Sequence, residues 1–400
     1  MINLTKHRSI AIIFSLALVL VSIAIVSKTT VIQTDKTIST TDEALENMKG
    51  VWVSYITLDM QNTDMSEDSF TKKIESIVKT SKENGFNTII FQVRPFSDAL
   101  YKSEYFPYSH ILTGVQGKDP EYDPLEIMCK VCHDNNINVH AWINPYRVKS
   151  ESTPKKLSDD NPYIIDKSIG FTHNNCIYLD PSNEQARKLV VNGVKEIVKN
   201  YDVDGIQFDD YFYPENCDNV DESTYNEYKE NTINSLSKEE WRIDNVNKLI
   251  KSVYKAVHQY SDDVVFGISP QGNLNNNYTL SADVKSWCKD SGYIDYICPQ
   301  IYFSLDNPTM NFEESLNEWL DIKKHKDLAM YIGIAGYKGG TDEDEGTWLD
   351  NDDILKTQIQ ICEENNLDGI MLYSYESFIN ADNKEEIANV VNYLTNITED

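Results

Sequence analysis

The feature that most limits how this chain can fold is a rhythm of eight short apolar segments, each followed by a longer amphipathic one. The short segments fall at 50–54, 88–92, 138–143, 205–208, 264–268, 296–299, 329–334 and 369–373. Most are rich in β-branched and aromatic residues, as strands covered on both faces must be. Helical patterns follow at 66–84, 124–135, 183–200, 239–259, 281–291, 312–325, 352–366 and 384–394. Asn84-Gly85 and Asn365-Asn366 are helix stops with the next strand only a few residues on. Eight strands, each followed by a helix, is the count of an α/β fold of the (β/α)8 TIM barrel type. A doubly wound open sheet is the alternative, but no glycine-rich phosphate loop follows the first strand. Nothing repeats at the sequence level in the way a solenoid would.

The N-terminus reads as a separate piece. Lys6 and Arg8 precede a run from Ile10 to Val26 without a charged residue. That run reaches the lower limit for spanning a hydrocarbon core, and its positive flank keeps this end in the cytoplasm. No small-x-small cleavage site follows it and no nearby cysteine could carry a lipid, so an uncleaved signal-anchor is preferred to a cleaved signal peptide. Residues 1–27 are therefore expected to be signal peptide or membrane anchor, 28–48 a Thr/Ser/Asp-rich linker, and 49–400 the barrel domain. The expected location is outside the cytoplasmic membrane, tethered to it, or secreted if the signal is cleaved.

Acidic residues outnumber basic ones by 64 to 36, a formal charge of -28, which argues against nucleic acid or another polyanion as partner. The seven cysteines are odd in number and irregularly spaced, which is no disulfide framework. Cys129 and Cys132 form a CxxC inside a helical pattern without a partner pair, so packing cysteines are expected. The acidic run of residues 342–345 and 350–353 lacks the spacing and glycine of a calcium loop and reads as a solvated surface.

Function in such a barrel gathers at the C-terminal strand ends. Those positions here are polar and aromatic: Ser54-Tyr55, then Gln92, Arg94 and Phe96, then His140, Trp142, Asn144 and Arg147. The fourth strand ends in Asp209-Asp210-Tyr211-Phe212-Tyr213-Pro214, the fifth in Ser269-Pro270-Gln271, the sixth in Gln300 and Tyr302, the seventh in Tyr337 and the eighth in Ser374-Tyr375-Glu376. Glycoside hydrolysis needs one carboxyl group to protonate the leaving oxygen and a second to attack or activate water. Asp209, Asp210 and Glu376 are placed for that work, and alternation along a strand predicts that only one of the two aspartates faces the axis. Trp and Tyr cover the apolar C–H faces of sugar rings while offering a polar tip. Trp142, Tyr146, Tyr211, Tyr213, Tyr302, Tyr337, Trp348 and Tyr375 fall at or beyond strand ends, which favours sugar binding. Asp204 and Asp295 precede their strands, at the opposite face, where stability is the expected role. There is no G-x-S-x-G elbow, no HExxH and no histidine spacing for a metal. No metal and no cofactor are implied.

Several segments together resemble one family. Gly50-Val-Trp-Val-Ser54, Phe91-Gln-Val-Arg-Pro95, His140-Ala-Trp-Ile-Asn-Pro-Tyr-Arg147, Asp204-Gly-Ile-Gln-Phe-Asp-Asp-Tyr-Phe-Tyr-Pro214 and Tyr296-Ile-Cys-Pro-Gln-Ile-Tyr302 resemble glycosyl hydrolase-like family 10, over about residues 49–380. The resemblance implies an exported bacterial TIM-barrel glycoside hydrolase. One branch of the family acts on peptidoglycan glycan strands stripped of their peptides. Its acidic centre corresponds to Asp209-Asp210, and an adjacent pair also permits a substrate-assisted route through an N-acetyl group. The expectation is a hydrolase of a bacterial cell-wall glycan or a related polysaccharide. Asp210 is expected as nucleophile or stabiliser, Asp209 as its support and Glu376 as general acid. Arg94, His140, Trp142, Asn144, Arg147, Tyr211, Gln300, Tyr302, Tyr337 and Tyr375 are the expected substrate-binding residues. The rival is a carbohydrate-binding barrel without catalysis, acting in cell-wall assembly.

Overall fold

The computed structural model describes residues 45–349, 351–380 and 383–396. The expected anchor at 10–26 and most of the linker lie outside them. Among the described residues no helix is long and apolar enough to cross a membrane. Eight parallel strands close into a barrel: β1 (Met48–Val53), β2 (Thr88–Arg94), β3 (Asn138–Ile143), β7 (Gly205–Phe208), β8 (Val265–Ile268), β9 (Tyr296–Ile297), β10 (Ala329–Ala335) and β11 (Gly369–Tyr373). Closure comes from β1, which pairs with β2 on one side and β11 on the other. All eight strands coincide with the expected segments to within a few residues.

The helices that cover the barrel are α1 (Glu67–Glu83), α2 (Pro124–Asp134), α3 (Glu184–Asn200), α4 (Lys238–Tyr260), α5 (Val284–Lys289), α6 (Phe312–Leu320), α7 (Ile354–Glu364) and α8 (Lys384–Asn396). Their starts are chemically marked. Ser66, Asp123 and Asn183 accept from first-turn amides of α1, α2 and α3, and Ser237 with Glu240 forms a capping box on α4. Each helix turns an apolar face to the barrel, giving a large outer core that includes Phe70, Ile74, Val190, Leu249 and Trp319. Six of the seven cysteines are buried and all seven are free thiols.

The barrel interior is a smaller second cluster of Met48, Trp52, Ile90, Trp142, Val265, Tyr296, Cys298, Tyr331 and Met371. Large inward side chains fit because a neighbouring strand carries glycine there. A Cβ on Gly267 would lie 2.1 Å from the Tyr296 ring, and one on Gly205 would lie 2.7 Å from His140.

At the N-terminal face a single device repeats four times. Asn87, Asp204, Asp295 and Asp368 each precede a strand, and each donates its backbone N–H to the carbonyl of Lys49, Val139, Phe266 or Met330, respectively. The side chain of the same residue accepts that partner's N–H, at 2.9, 2.7, 2.7 and 2.7 Å. Its carbonyl accepts from the strand on the other side, through the N–H of Asn138, Val265, Ala329 or Met48. The four clamps thus tie β1, β3, β8 and β10 into a closed ring. His133 stands 2.9 Å behind Asp204 and His258 3.0 Å behind Asp295. Burial works against charging each imidazole, but the aspartate beside it outweighs that, so both histidines titrate above their ordinary value. Their ion-pair contribution is present at low pH and is lost as pH rises through the raised value.

Two long inserts flank β7. The first holds a three-stranded antiparallel sheet of β4 (Arg147–Lys149), β5 (Gly170–His173) and β6 (Cys176–Leu179), in the order β4-β6-β5. The second holds a helix at Glu222–Asn231. The acidic run near 344 is built in on one side: Asp344 accepts from Lys338 and Trp348, each at 2.9 Å.

The clamps make a quantitative expectation. Asp295→Ala leaves the Phe266 amide and His258 without their partner and lowers unfolding free energy by about 1–3 kcal/mol. Urea unfolding measures this, and an unchanged midpoint would contradict a register-holding role.

Candidate active site

Two adjacent carboxylates, Asp209 and Asp210, stand at one strand end. Strand pairing of β7 ends at Phe208, and Asp209 and Asp210 follow in a turn. Beyond the last paired residue the alternation of a strand no longer applies, so both aspartates line one cavity of about 200 Å³ at the C-terminal face. This differs from the expectation that one would turn away.

Each aspartate has its own support. Asp209 Oδ2 accepts from Trp142 Nε1 at 3.0 Å and Asn144 Nδ2 at 3.1 Å. Asn144 is itself set by the Tyr146 and Arg147 amides, which donate to its Oδ1 at 3.3 and 2.9 Å. The charged form of Asp210 is favoured instead by the Gln271 and Gln300 side chains. Both are almost wholly buried, at 4% and 8% exposure. Burial, followed by the charge of Asp210, pushes Asp209 up to about 7. Burial raises Asp210 as well, opposed by its two glutamine donors. The Arg147 guanidinium pulls both downward. It is held by Pro95 O at 2.9 Å and sits between the rings of Phe96 and Tyr211, at 4.8 and 5.4 Å.

The cavity is rimmed by aromatics with Tyr373 at their centre. Its ring lies 6.0 Å from Trp52, 6.5 Å from Trp142, 5.8 Å and nearly stacked on Tyr302, and 6.0 Å from Tyr337. Below the rim a buried polar chain sets the floor. Trp52 Nε1 donates to Gln207 Oε1 at 2.5 Å, Gln207 Nε2 donates to Tyr296 OH at 3.2 Å, and that hydroxyl meets His140 Nδ1 at 3.0 Å. Burial pulls His140 down to about 4, so the ring is neutral near pH 7.

Of the expected residues, Asp209, Asp210, Trp142, Tyr211, Gln300 and Tyr302 line the cavity. Tyr337, Asn144 and Arg147 stand directly behind or beside them. His140 supports the floor from within the barrel. Arg94 is elsewhere: a register shift between Gln92 and Arg94 reverses the alternation of β2. Its guanidinium is packed over Phe106 at 4.5 Å and against α3, where a Cβ on Gly193 would lie 2.3 Å from Nη1. Tyr375 also turns away, into a 3-10 turn where it packs on Phe378 at 5.8 Å. Tyr146, Tyr213 and Trp348 are core side chains rather than rim. Glu376 is not among the cavity-lining residues. Its carboxylate accepts from Ser54 at 3.3 Å and also from the Thr57 and Ser374 hydroxyls.

Three lining residues were not singled out from the sequence, Trp52, Gln207 and Tyr373, and Ser269 was noted only as a polar strand end. A period-2 count could have found Tyr373, because Met371 is inward and Tyr373 shares its face. Among the described residues no group of three or more His, Cys, Asp or Glu is placed to hold a metal ion.

The raised Asp209 carries a stability cost. Its folded value lies above the ordinary 3.8, so the native state keeps a proton that the unfolded chain releases, and stability declines as pH rises from about 4 to about 7. Asp209→Asn removes that decline and stabilises the chain at pH 8 relative to pH 4, by up to about 4 kcal/mol. Urea unfolding at both pH values tests this; parallel profiles for the two proteins would contradict it.

The sequence matches the family described as glycosyl hydrolase-like 10 over residues 47–350. It is 34% identical over 331 residues to glycosyl hydrolase YngK of Bacillus subtilis, covering 77% of this chain and 64% of that protein, so it spans less than two thirds of that relative. It is 30% identical over 395 residues to glycosyl hydrolase DigH of Escherichia coli K12, covering 89% and 88%. The catalytic domain of a β-amylase from Paenibacillus polymyxa shares the fold at TM-score 0.55 and 10% identity, over 88% of this chain and 98% of that one. The aspartate-bearing barrel described above therefore belongs to the glycosyl hydrolase-like 10 family.

Proposed function

We propose that the protein is a glycoside hydrolase that cleaves a bacterial cell-wall glycan or a related N-acetylated polysaccharide outside the cytoplasmic membrane. The observation that carries this reading is the pair of buried aspartates opening into one aromatic-rimmed cavity, with different partners and different proton affinities. Family membership and the relatives named as glycosyl hydrolases support it. The uncharged run at 10–26 supports export and a membrane tether.

The pair suggests a division of labour. Asp209, raised to about 7, holds a proton near neutrality and is placed to give it to the departing glycosidic oxygen. Asp210 is raised by burial too, but Gln271 and Gln300 favour its carboxylate form, and it is assigned the anionic role. These two are the only carboxylates among the cavity-lining residues, and adjacent groups suit a substrate-assisted course. In it the acetamido oxygen of the sugar bonds to the anomeric carbon as the glycosidic C–O bond breaks, and Asp209 protonates the leaving oxygen. Asp210 holds the amide N–H and balances the positive charge of the cyclic intermediate. Water then opens that ring at the anomeric carbon and returns a proton to Asp209. In this reading the acid role passes to Asp209 from Glu376, whose oxygens are engaged by three hydroxyls. Trp52, Trp142, Tyr302 and Tyr373 cover the sugar faces.

Two variants separate the roles. Asp209→Asn is expected to lose about 10²–10⁴-fold on unactivated glycan strands, and far less on an aryl glycoside whose leaving group needs no proton. Asp210→Asn is expected to lose on both. The wild-type rate should fall as pH rises through about 7, because deprotonation of Asp209 removes the acid, and that limb should vanish in Asp209→Asn. Equal losses for both variants on both substrates would contradict the assignment, and absence of cleavage on any N-acetylated glycan would contradict the activity.

A further inference from the structure

A second concavity, of about 660 Å³, lies between the segment after β2 and the insert after β3. Its walls include Tyr55, His110, Val115, Gln116 and Leu157. The two segments are bound to each other by a buried polar network. Asp98, with no exposed surface, accepts from Gln116 Nε2 at 2.9 Å and meets His110 Nδ1 at 3.3 Å. Gln116 Oε1 accepts from the Ser158 amide at 3.0 Å and from Asn161 Nδ2 at 3.3 Å, and Asn161 Nδ2 also donates to Ser97 O at 2.9 Å. The groove is therefore shaped by the chain's own bonds, and a ligand entering it need not order its walls.

Groove and cavity are linked by a run of packed side chains, Tyr55, Phe96, Arg147 and Tyr211. The Tyr55 ring, in the groove wall, meets Phe96 edge-on at 5.4 Å, and Phe96 lies 5.7 Å from His110. Phe96 also supports Arg147, whose other face is covered by Tyr211 of the cavity. The groove lining mixes apolar and uncharged polar surface, with Val115 58% exposed, and its formal charges cancel, Lys155 and Lys156 against Asp59 and Asp159. The acyl methyls, sugar C–H faces, amides and hydroxyls of an N-acetylated glycan match that mixture.

We propose that this groove is a distal subsite that holds further units of an N-acetylated glycan whose cleaved unit sits in the cavity, so that the protein acts within long chains. The proposal rests on the hydrolase reading above, and Val115 gives a handle outside the cavity lining. Val115→Arg fills the groove from an exposed position. With purified glycan-strand fragments, kcat/KM on an octasaccharide is expected to fall tenfold or more, while an aryl glycoside of one N-acetylated sugar changes less than twofold. Equal loss on both, or no loss on either, would overturn the subsite. Calorimetry of the octasaccharide on Asp210→Asn, with and without Val115→Arg, separates the two ideas. Binding that Val115→Arg weakens tenfold, with no cleavage by the unsubstituted chain, keeps the groove and rejects the hydrolase. Binding that is absent, or indifferent to the substitution, rejects the groove.

Discussion

The four clamps at the N-terminal face are the constraint on which the rest of the barrel depends. Parallel strands in a closed sheet could slip in register, and a slip of one residue exchanges every inward side chain for an outward one. Asn87, Asp204, Asp295 and Asp368 each fasten one strand through two bonds and the next through a third, and together they close the ring. With register held at that end, Trp52, Trp142, Gln207, Ser269 and Tyr373 arrive at the opposite end pointing inward. The clamps are far along the strands from the chemistry, yet they decide which side chains meet in the cavity.

At the mouth the governing effect is desolvation. The cavity is narrow, its rim aromatic and its floor closed by the Trp52–Gln207–Tyr296–His140 chain. Two carboxyl groups placed there cannot both ionise cheaply, and their unlike partners push the proton towards Asp209. Arg147 limits the effect rather than abolishing it, because its guanidinium is shared between two ring faces and a backbone carbonyl. The same burial that raises Asp209 lowers stability at neutral pH.

Much of this was legible in the sequence because the barrel obeys a simple period. Strand candidates could be counted from apolar runs, and Asp204 and Asp295 could be separated from Asp209 and Asp210 by lying before their strands rather than after them. What escaped was local. A register shift in β2 sends Arg94 outward, and nothing in the Phe91–Pro95 segment announces it. The chain leaves β11 through a 3-10 turn, so Tyr373 rather than Tyr375 reaches the rim. In the small sheet β4 pairs with β6 across most of the insert, which no local pattern carries, while β5 and β6 are a local hairpin turning at Asn174-Asn175. The joint exposure of Asp209 and Asp210 to one cavity follows from where pairing of β7 stops, a fact of its neighbours as much as of its own residues.

The whole site turns on Asp209 being pushed up to about 7 beside Asp210 in one cavity. Titrating the side-chain carboxyl carbons by 13C NMR, with Asp209→Asn and Asp210→Asn used for assignment, tests it without reference to any substrate. Asp209 is expected to titrate near 7 and to move downward in Asp210→Asn, where the neighbouring charge is gone. A midpoint for Asp209 close to the ordinary 3.8, unchanged in Asp210→Asn, would contradict it.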